Sequence, residues 1–311
     1  MKFENLCKMS QEGLKHYLTH QLKNIYNVVI NEDGFLYADG KFPVLLVAHL
    51  DTVHKKLPDI ITYQKKGDWI SSPNGIGGDD RCGVYMILEI IKKYNCSVLF
   101  CEDEEIGAVG AGKFVKSKVA EGLKFNYIIE FDRRGKNDAV FYNCDNEDFE
   151  EFITKEFFKT AYGSFSDIST IAPALGVAAV NLSCGYYEAH TTKEYVVMSE
   201  MKKVIEEACK ILERTTDKDV FEYIEAQYSG YDRYGYYGGW YDDYDGYSAY
   251  GSRYTKDRYY LFEYLDANGQ EQWYDVIATS YYEALGKFMC DNPNASYADI
   301  TDIVSEQATW Y

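Results

Sequence analysis

Apolar residues in the first two thirds of the chain occur in two alternating patterns. Short continuous runs are typical of strands covered on both faces, and they occur as PVLLVAHL, CSVLFCED, FNYIIEFD and VAAVNLSCG. Around these runs, apolar residues recur at helical spacing in SQEGLKHYLTHQL, CGVYMILEIIKKY and MSEMKKVIEEACKILERT. Strands that alternate with helices predict an α/β fold, with a mostly parallel, mixed sheet sandwiched by helices.

Two local signals sharpen this prediction. Ser10 directly precedes the first helical segment, and serine is a favoured N-cap residue. The segment NVVINEDGFLYADG predicts an antiparallel hairpin that turns at Glu32, Asp33 and Gly34.

The composition changes after about residue 215. Residues 228–254 consist almost wholly of Tyr, Gly, Asp and Ser, with no aliphatic residue larger than alanine. Such a segment cannot pack a core by itself, which favours a flexible linker over residues 216–257. A tyrosine-rich segment that self-associates or docks a protein partner is the alternative.

The last part of the chain recovers a folded pattern. Asn268-Gly269 predicts a hairpin turn, and SYYEALGKFMCD predicts a short helix. The sequence therefore predicts a main domain over residues 1–215, the linker over 216–257 and a small α+β accessory module over 258–311.

Charge, hydropathy and cysteine usage restrict the kinds of binding partner and the cellular compartment that the sequence predicts. The chain has 50 acidic and 32 basic residues and a formal net charge of −18, which argues against a nucleic-acid partner. No run approaches 18 apolar residues, so no membrane span is expected. The eight cysteines are irregularly spaced, which favours reduced, buried thiols and a cytoplasmic protein.

Residues able to bind a metal follow the apolar strands or a glycine loop at five places. They are His49-Leu50-Asp51, Asp79-Asp80, Glu104-Glu105, Asp132 and His190. Each one alone is also compatible with a surface turn or an acidic helix start. Together, beyond the ends of different strands, they predict one cleft with mixed imidazole and carboxylate ligands. That ligand set suits Zn²⁺, with Co²⁺ or Mn²⁺ as alternatives.

The motifs AHLDTV, GGDDRCG, EDEEIGAVGA, EFD and EAHTTKEYV resemble those of the co-catalytic di-zinc exopeptidases. This superfamily includes peptidase T, carboxypeptidase-G-like enzymes and the leucyl and glutamyl aminopeptidases. The resemblance covers roughly residues 40–212.

The resemblance implies a site with two Zn²⁺ ions. His49 and Asp132 would hold one ion, and Glu105 and His190 the other. Asp79 would bridge both ions, and in many family members a cis peptide follows this aspartate.

The resemblance also implies two catalytic roles. Asp51 would accept the second ring N–H of His49 and fix its tautomer. Glu104 would be the general base that takes a proton from a water bridged between the two zinc ions. Ser166 and Asp167, in SFSDIST, resemble a Ser-Asp stretch near the active site of these families and are expected near the pocket.

The spacing of the motifs predicts a catalytic domain without a lid. The short spans from Asp51 to Asp79 and from Asp132 to His190 leave no room for the domains that several family members insert there. The predicted function is an exopeptidase for short peptides, with an aminopeptidase favoured. An N-acyl amino acid deacylase or carboxypeptidase-type amidohydrolase would use the same chemistry. A catalytically silent metal-binding domain with an interaction tail is a third hypothesis.

Overall fold

The computed structural model describes residues 2–226, 258–265, 270–278, 288, 292 and 300–307. The chain divides into two compact units, Met1–Ala226 and Gln227–Tyr311. Residues 227–257, most of the predicted linker and all of its tyrosine-rich segment, lie outside the described residues.

The first unit alternates helices and strands along the sequence. Its helices are α1 (Phe3–Cys7), α2 (Gln11–Lys23), α3 (Gly78–Ile90), α4 (Val109–Lys116), α5 (Glu147–Thr154), α6 (Asp167–Leu175) and α7 (Met198–Arg214). Its strands are β1 (Val29–Glu32), β2 (Phe35–Ala38), β3 (Phe42–His49), β4 (Thr62–Gln64), β5 (Trp69–Ser71), β6 (Cys96–Cys101), β7 (Tyr127–Arg133), β8 (Asp138–Val140), β9 (Lys159–Ala161), β10 (Ala179–Ser183), β11 (Tyr186–Tyr187) and β12 (Tyr195–Val197).

An eight-stranded mixed sheet organises this unit, in the order β1-β2-β6-β3-β7-β10-β8-β9. Its four central strands, β6, β3, β7 and β10, are parallel, and β8 and β9 pair parallel at one edge. The β1–β2 hairpin adds antiparallel strands at the other edge. A second sheet, in the order β11-β12-β5-β4, is antiparallel.

The predicted α/β architecture is confirmed, because the central strands are covered on both faces. Along β3, Leu46 and Ala48 join a core cluster with α2, α3 and α7, whereas Leu45 and Val47 join a second cluster with α4 and α6. Each apolar run is therefore continuous because its successive side chains point into different cores.

The two local signals also hold. The Ser10 side chain accepts a hydrogen bond from the Gly13 amide at the start of α2. In the hairpin, Glu32 pairs with Phe35, so the turn lies at Asp33 and Gly34.

The first unit continues past the boundary predicted at residue 215. Glu222 and Glu225 form antiparallel bridges with Val177 and Cys144. The Phe221 ring packs against Phe149 at a centroid distance of 5.1 Å and also contacts Tyr127 and Phe152. These contacts make residues 216–226 part of the first unit rather than a linker.

In the second unit, three antiparallel strands are described, in the order β14-β13-β15. They are β13 (Arg258–Leu265), β14 (Glu271–Ala278) and β15 (Ile300–Gln307). Leu265 pairs with Glu271, as a hairpin requires, while Asn268 and Gly269 lie outside the described residues. The same is true of most of the predicted helix, although Phe288 is helical and buried.

Two further features concern the described part of the chain. Its cysteines are all free and buried; they are Cys7, Cys82, Cys96, Cys101, Cys144, Cys184 and Cys209. None of its helices has the length and apolar character that spanning a bilayer requires.

Candidate metal centre

The candidate ligands gather where the parallel strands end. His49 is the last residue of β3, and Asp132 lies near the end of β7. Glu104 and Glu105 follow β6 in the turn before α4. Parallel strands in one sheet end at the same edge, so residues far apart in sequence meet there.

Two further candidates come from outside the large sheet. Asp79 stands in the first turn of α3, where its backbone is not helical and the Asp79–Asp80 peptide bond is cis. His190 lies between β11 and β12 in a left-handed conformation, with φ of 63°, and its side chain is 50% exposed.

The Asp79 carboxylate lies between the two histidines. Its Oδ1 is 3.0 Å from His49 Nε2, and its Oδ2 is 3.1 Å from His190 Nε2. His49 Nε2 is also 3.4 Å from Asp132 Oδ1, and His190 Nε2 is 3.1 Å from Glu105 Oε2. The five predicted ligands therefore form two imidazole–carboxylate pairs joined by one carboxylate.

Asp51 holds the opposite side of His49. Its Oδ1 accepts hydrogen bonds from His49 Nδ1 and the Glu104 amide, each at 3.0 Å. Its Oδ2 accepts one from the Glu105 amide at 3.0 Å. One carboxylate thus orients the His49 ring and holds the backbone of the loop that carries both glutamates.

The electrostatics of the cluster follow from burial and from charge pairing. Burial raises the pKa of Glu104 well above its usual range and that of Glu105 to about 7. Hydrogen bonds that His190 donates to Asp79 and Glu105 raise its pKa to about 12. Burial alone would lower the pKa of His49, but its hydrogen bonds with carboxylates, first of all Asp132, hold it well above its usual range.

Asp79 shows the reverse effect. Burial would raise the pKa of its carboxyl, but hydrogen bonds with His190 and His49 hold that pKa below its usual range. Each imidazole therefore keeps a proton between carboxylates. A cation in that position would satisfy the same oxygens and would release the imidazole protons.

The donor set fits divalent metal ions. It contains two imidazole nitrogens and three carboxylates, which is the ligand chemistry that zinc accepts. One oxygen of this set, Glu105 Oε1, is buried and has no hydrogen-bond partner. A buried carboxylate oxygen without a donor is costly unless a cation completes its environment.

Asp80 is the other carboxylate of the pair, and it has a different environment. It is fully buried, its Oδ1 accepts the Gly83 amide at 2.8 Å, and its Oδ2 accepts the His49 amide at 3.3 Å. A ligand atom of its carboxylate lies within 4.8 Å of ligand atoms of His49 and Asp132. Since both of its oxygens already accept backbone hydrogen bonds, its geometry is that of a helix cap.

A hydrogen-bonded network lies behind Asp132. Ser166 Oγ is 3.1 Å from Asp132 Oδ2 and also contacts Glu130 Oε2 closely. The Asp132 amide donates to Asn181 Oδ1 at 2.9 Å, and the Tyr186 hydroxyl donates to the Asp132 carbonyl at 3.1 Å. Burial and the charge of Asp132 raise the pKa of Glu130 well above its usual range, although the hydrogen bond that Ser166 donates to it acts in the opposite direction.

Ser166 therefore lies next to the site, as the sequence predicted. Asp167, beside it, is fully buried, and burial raises its pKa to about 7. Two other carboxylates of this region were not identified from the sequence. Glu130 interrupts the apolar run FNYIIEFD and could have been found by that signal, while Glu194 follows His190 inside the motif EAHTTKEYV.

Residues 24–174, just under half of the chain, match the model of Peptidase family M28. A comparison with curated protein sequences found no match.

Solved structures match a larger part of the chain than the family model does. Aminopeptidase PepT from Bacillus cereus is 18% identical with a TM-score of 0.55, and the match covers 68% of this chain and 96% of that one. An aminopeptidase from Desulfurococcus kamchatkensis is 14% identical with a TM-score of 0.55, over 70% and 95% of the two chains. A Zn-dependent exopeptidase from Parabacteroides distasonis is 14% identical with a TM-score of 0.52, over 68% and 96%.

At 14–18% identity, these matches show a shared fold over 68–70% of this chain. The family match covers the segments that carry His49, Asp79, Glu105 and Asp132. The chain therefore shares the fold of these peptidases, and its residues 24–174 are similar to Peptidase family M28.

Proposed function

We propose that the first unit is a di-zinc exopeptidase of the aminopeptidase type, which hydrolyses peptide bonds of short peptides. The observation that carries this proposal is the position of Asp79. Its two oxygens face imidazoles from different segments, at 3.0 Å from His49 and 3.1 Å from His190. One carboxylate shared between two imidazole-bearing half-sites is the arrangement that a bridged pair of metal ions requires.

The residues divide into two half-sites. His49 and Asp132 would hold one Zn²⁺, Glu105 and His190 would hold the other, and Asp79 would bridge both. Co²⁺ or Mn²⁺ could take the same nitrogen and oxygen ligands. Bound metal ions of this kind lower the pKa of water and polarise the carbonyl group of a substrate.

Asp51 prepares His49 for this role. By accepting the Nδ1–H of His49 at 3.0 Å, it would direct Nε2 toward the metal ion. The same carboxylate accepts hydrogen bonds from the Glu104 and Glu105 amides, which fixes the positions of the proposed base and of a proposed ligand.

Glu104 is the proposed general base. Its carboxylate would accept a proton from the attacking water and deliver it to the leaving amine nitrogen. Metal cations beside this carboxylate would favour its ionised form, which is the form that accepts a proton.

The aminopeptidase preference has support from the structural neighbours. The matching proteins from Bacillus cereus and Desulfurococcus kamchatkensis are both aminopeptidases. Carboxypeptidase and deacylase activities would use the same ligands, so the substrate terminus needs its own test.

A Glu104→Gln substitution tests the role of the base. We expect about two zinc ions per chain in both the wild type and the variant, and a kcat about 10²–10⁴-fold lower in the variant. The matched control is Glu207→Gln, which changes a glutamate on α7 that pairs with Lys203 and Lys210. Full activity of the Glu104 variant would exclude this base, and a wild-type protein without bound metal would exclude the proposed site.

Blocked and unblocked dipeptides test the substrate terminus. An aminopeptidase should cleave dipeptides with a free amino terminus and leave N-acetylated ones intact. Cleavage of the acetyl group, or of peptides with a blocked amino terminus, would instead favour a deacylase or a carboxypeptidase.

A further inference from the structure

Glu194 is a buried carboxylate that the proposed chemistry does not use. Its side chain is fully buried, and it precedes β12 on the segment that carries His190. Burial of a carboxylate is costly unless its oxygens are well hydrogen-bonded. Its partners therefore indicate what it does.

All three partners belong to other segments of the site. Glu194 Oε2 is 2.7 Å from His54 Nε2 and accepts the Gly77 amide at 2.7 Å. Glu194 Oε1 accepts the Asp79 amide at 3.0 Å. The carboxylate thus binds the backbone of the very residue whose side chain lies between His49 and His190.

These contacts join three segments that each carry a candidate ligand. His54 is on the loop that follows His49, Gly77 leads into Asp79, and Glu194 itself is on the His190 segment. A movement of any one segment would break a hydrogen bond to the same carboxylate.

The glycine loop beside Glu194 is closely packed. A Cβ on Gly75 would lie 2.1 Å from the His54 ring, and one on Gly78 would lie 2.9 Å from Tyr186 Cβ and 3.3 Å from Glu194 Oε1. Gly75 has a φ of 85°, a conformation that side-chain-bearing residues rarely adopt. The loop is therefore shaped to receive His54 and Glu194.

We propose that Glu194 is a positioning residue that fixes the Asp79 carboxylate between the two histidines. It would complement Asp51, which fixes His49, Glu104 and Glu105 from another side. The effect on metal binding rests on the proposed di-zinc function, whereas the effect on the Asp79 backbone does not.

A carboxylate is required at this position because all three partners approach it as donors. Glutamine has one acceptor oxygen, and its NH₂ group would face either the Asp79 amide or the Gly77 amide. Glu194→Gln therefore preserves the size of the side chain and places two donors against each other.

The first experiment uses the full chain without metal. Amide hydrogen exchange should show the Asp79 amide protected in the wild type and exchanging about tenfold faster in Glu194→Gln. Amides in the central strand β3 should keep their rates, as should those of the control variant Glu207→Gln. An unchanged Asp79 amide would overturn the proposal, and so would equal acceleration throughout the first unit, which is general destabilisation.

The second experiment measures Zn²⁺ affinity by chelator competition, and Co²⁺ absorption spectra as a probe of ligand geometry. We expect Glu194→Gln to weaken metal binding about 10–100-fold and to alter the Co²⁺ spectrum, while Glu207→Gln matches the wild type. Wild-type affinity and spectrum in Glu194→Gln would overturn the proposal. A wild type that binds no metal would refute the proposed function, and the exchange experiment would still decide the role of Glu194.

His54→Ala supplies a milder variant in case Glu194→Gln does not fold. It removes one of the three donors and leaves the Gly77 and Asp79 amides in place. We expect a loss of metal affinity of a few-fold and a smaller acceleration of Asp79 amide exchange. No change in either quantity would contradict a link from His54 through Glu194 to Asp79.

Discussion

The imidazoles of the candidate metal centre lie between carboxylates, so each holds a proton where a cation would bind. His190 contacts Asp79 and Glu105, and His49 contacts Asp51, Asp79 and Asp132. Protons and metal ions therefore compete for the same positions, and the stability of the metal-free protein should depend on pH.

We expect the metal-free protein to lose stability as the pH rises from about 5 to about 8. Burial raises the pKa values of Glu105 and Asp167 to about 7, so the folded state keeps protons that the unfolded chain has already lost above about pH 4. The pKa of His190 is raised to about 12 in the folded state. Its interactions therefore stabilise the folded state fully below the unfolded pKa of about 6.5, and progressively less as the pH rises above that value. Asp79 has a lowered pKa, so its contribution is lost only as the pH falls in the acid range.

Thermal unfolding in the presence of a chelator checks this expectation. The Tm should be lower at about pH 8 than at about pH 5, and added Zn²⁺ should raise it more at the higher pH. Glu105→Gln should reduce the pH dependence. A Tm that rises with pH in the chelated wild type would contradict this assignment of protons.

Among the secondary-structure elements, helix α3 positions the candidate metal centre, because it carries Asp79. Its second turn packs against the end of β7, which carries Asp132. A Cβ on Gly83 would lie 1.9 Å from the Phe131 carbonyl oxygen and 2.4 Å from Asp80 Oδ2. Close approach of the helix to the strand therefore depends on glycine at this position.

Gly83→Ala should reduce the free energy of unfolding by about 2–3 kcal/mol, because the backbone of β7 must move to admit the methyl group. Gly112→Ala is the matched control, since a Cβ on this α4 glycine would have nothing within 4 Å. That change should instead stabilise the protein by about 0.5–1 kcal/mol. Urea unfolding measures both values, and equal stabilities of the two variants would show that Gly83 is not constrained.

The predictability of the elements differs with their length and burial. The apolar runs of β3, β6, β7 and β10 predict strands because both of their faces are covered. The small sheet of β4, β5, β11 and β12 was not predicted, since strands of two or three residues have no recognisable periodicity. It nevertheless matters, because β11 and β12 flank the segment that carries His190.

At the scale of the whole molecule, the extent of the first unit is a property of its packing. Residues 216–226 bridge to Val177 and Cys144, and they bring Phe221 against the aromatic side chains of α5 and β7. The predicted main domain ends with the α7 helix and leaves the short run VFEYIEA in the linker, which explains the early boundary at residue 215.

Two truncations test this boundary. A chain that ends after Ala226 should keep the Tm of the first unit, whereas one that ends after Thr215 should be less stable by about 3–5 kcal/mol, as expected for loss of a packed Phe221. Thermal unfolding and zinc content measure the difference, and equal Tm values would restore the boundary at 215. Size-exclusion chromatography of the longer truncation beside the full chain also tests the predicted self-association.

The sequence by itself determined the α/β fold and the kinds of side chain that follow each strand, because burial pattern and strand ends are local properties of the chain. Tertiary structure decided how those side chains are used. Asp79 faces both histidines with separate oxygens, and its amide binds Glu194, 115 positions away in the sequence. Ser166 reaches Asp132 across 34 positions. Such hydrogen bonds depend on atomic positions that only the packed sheet and its helices define, and hydrophobic periodicity carries no trace of them.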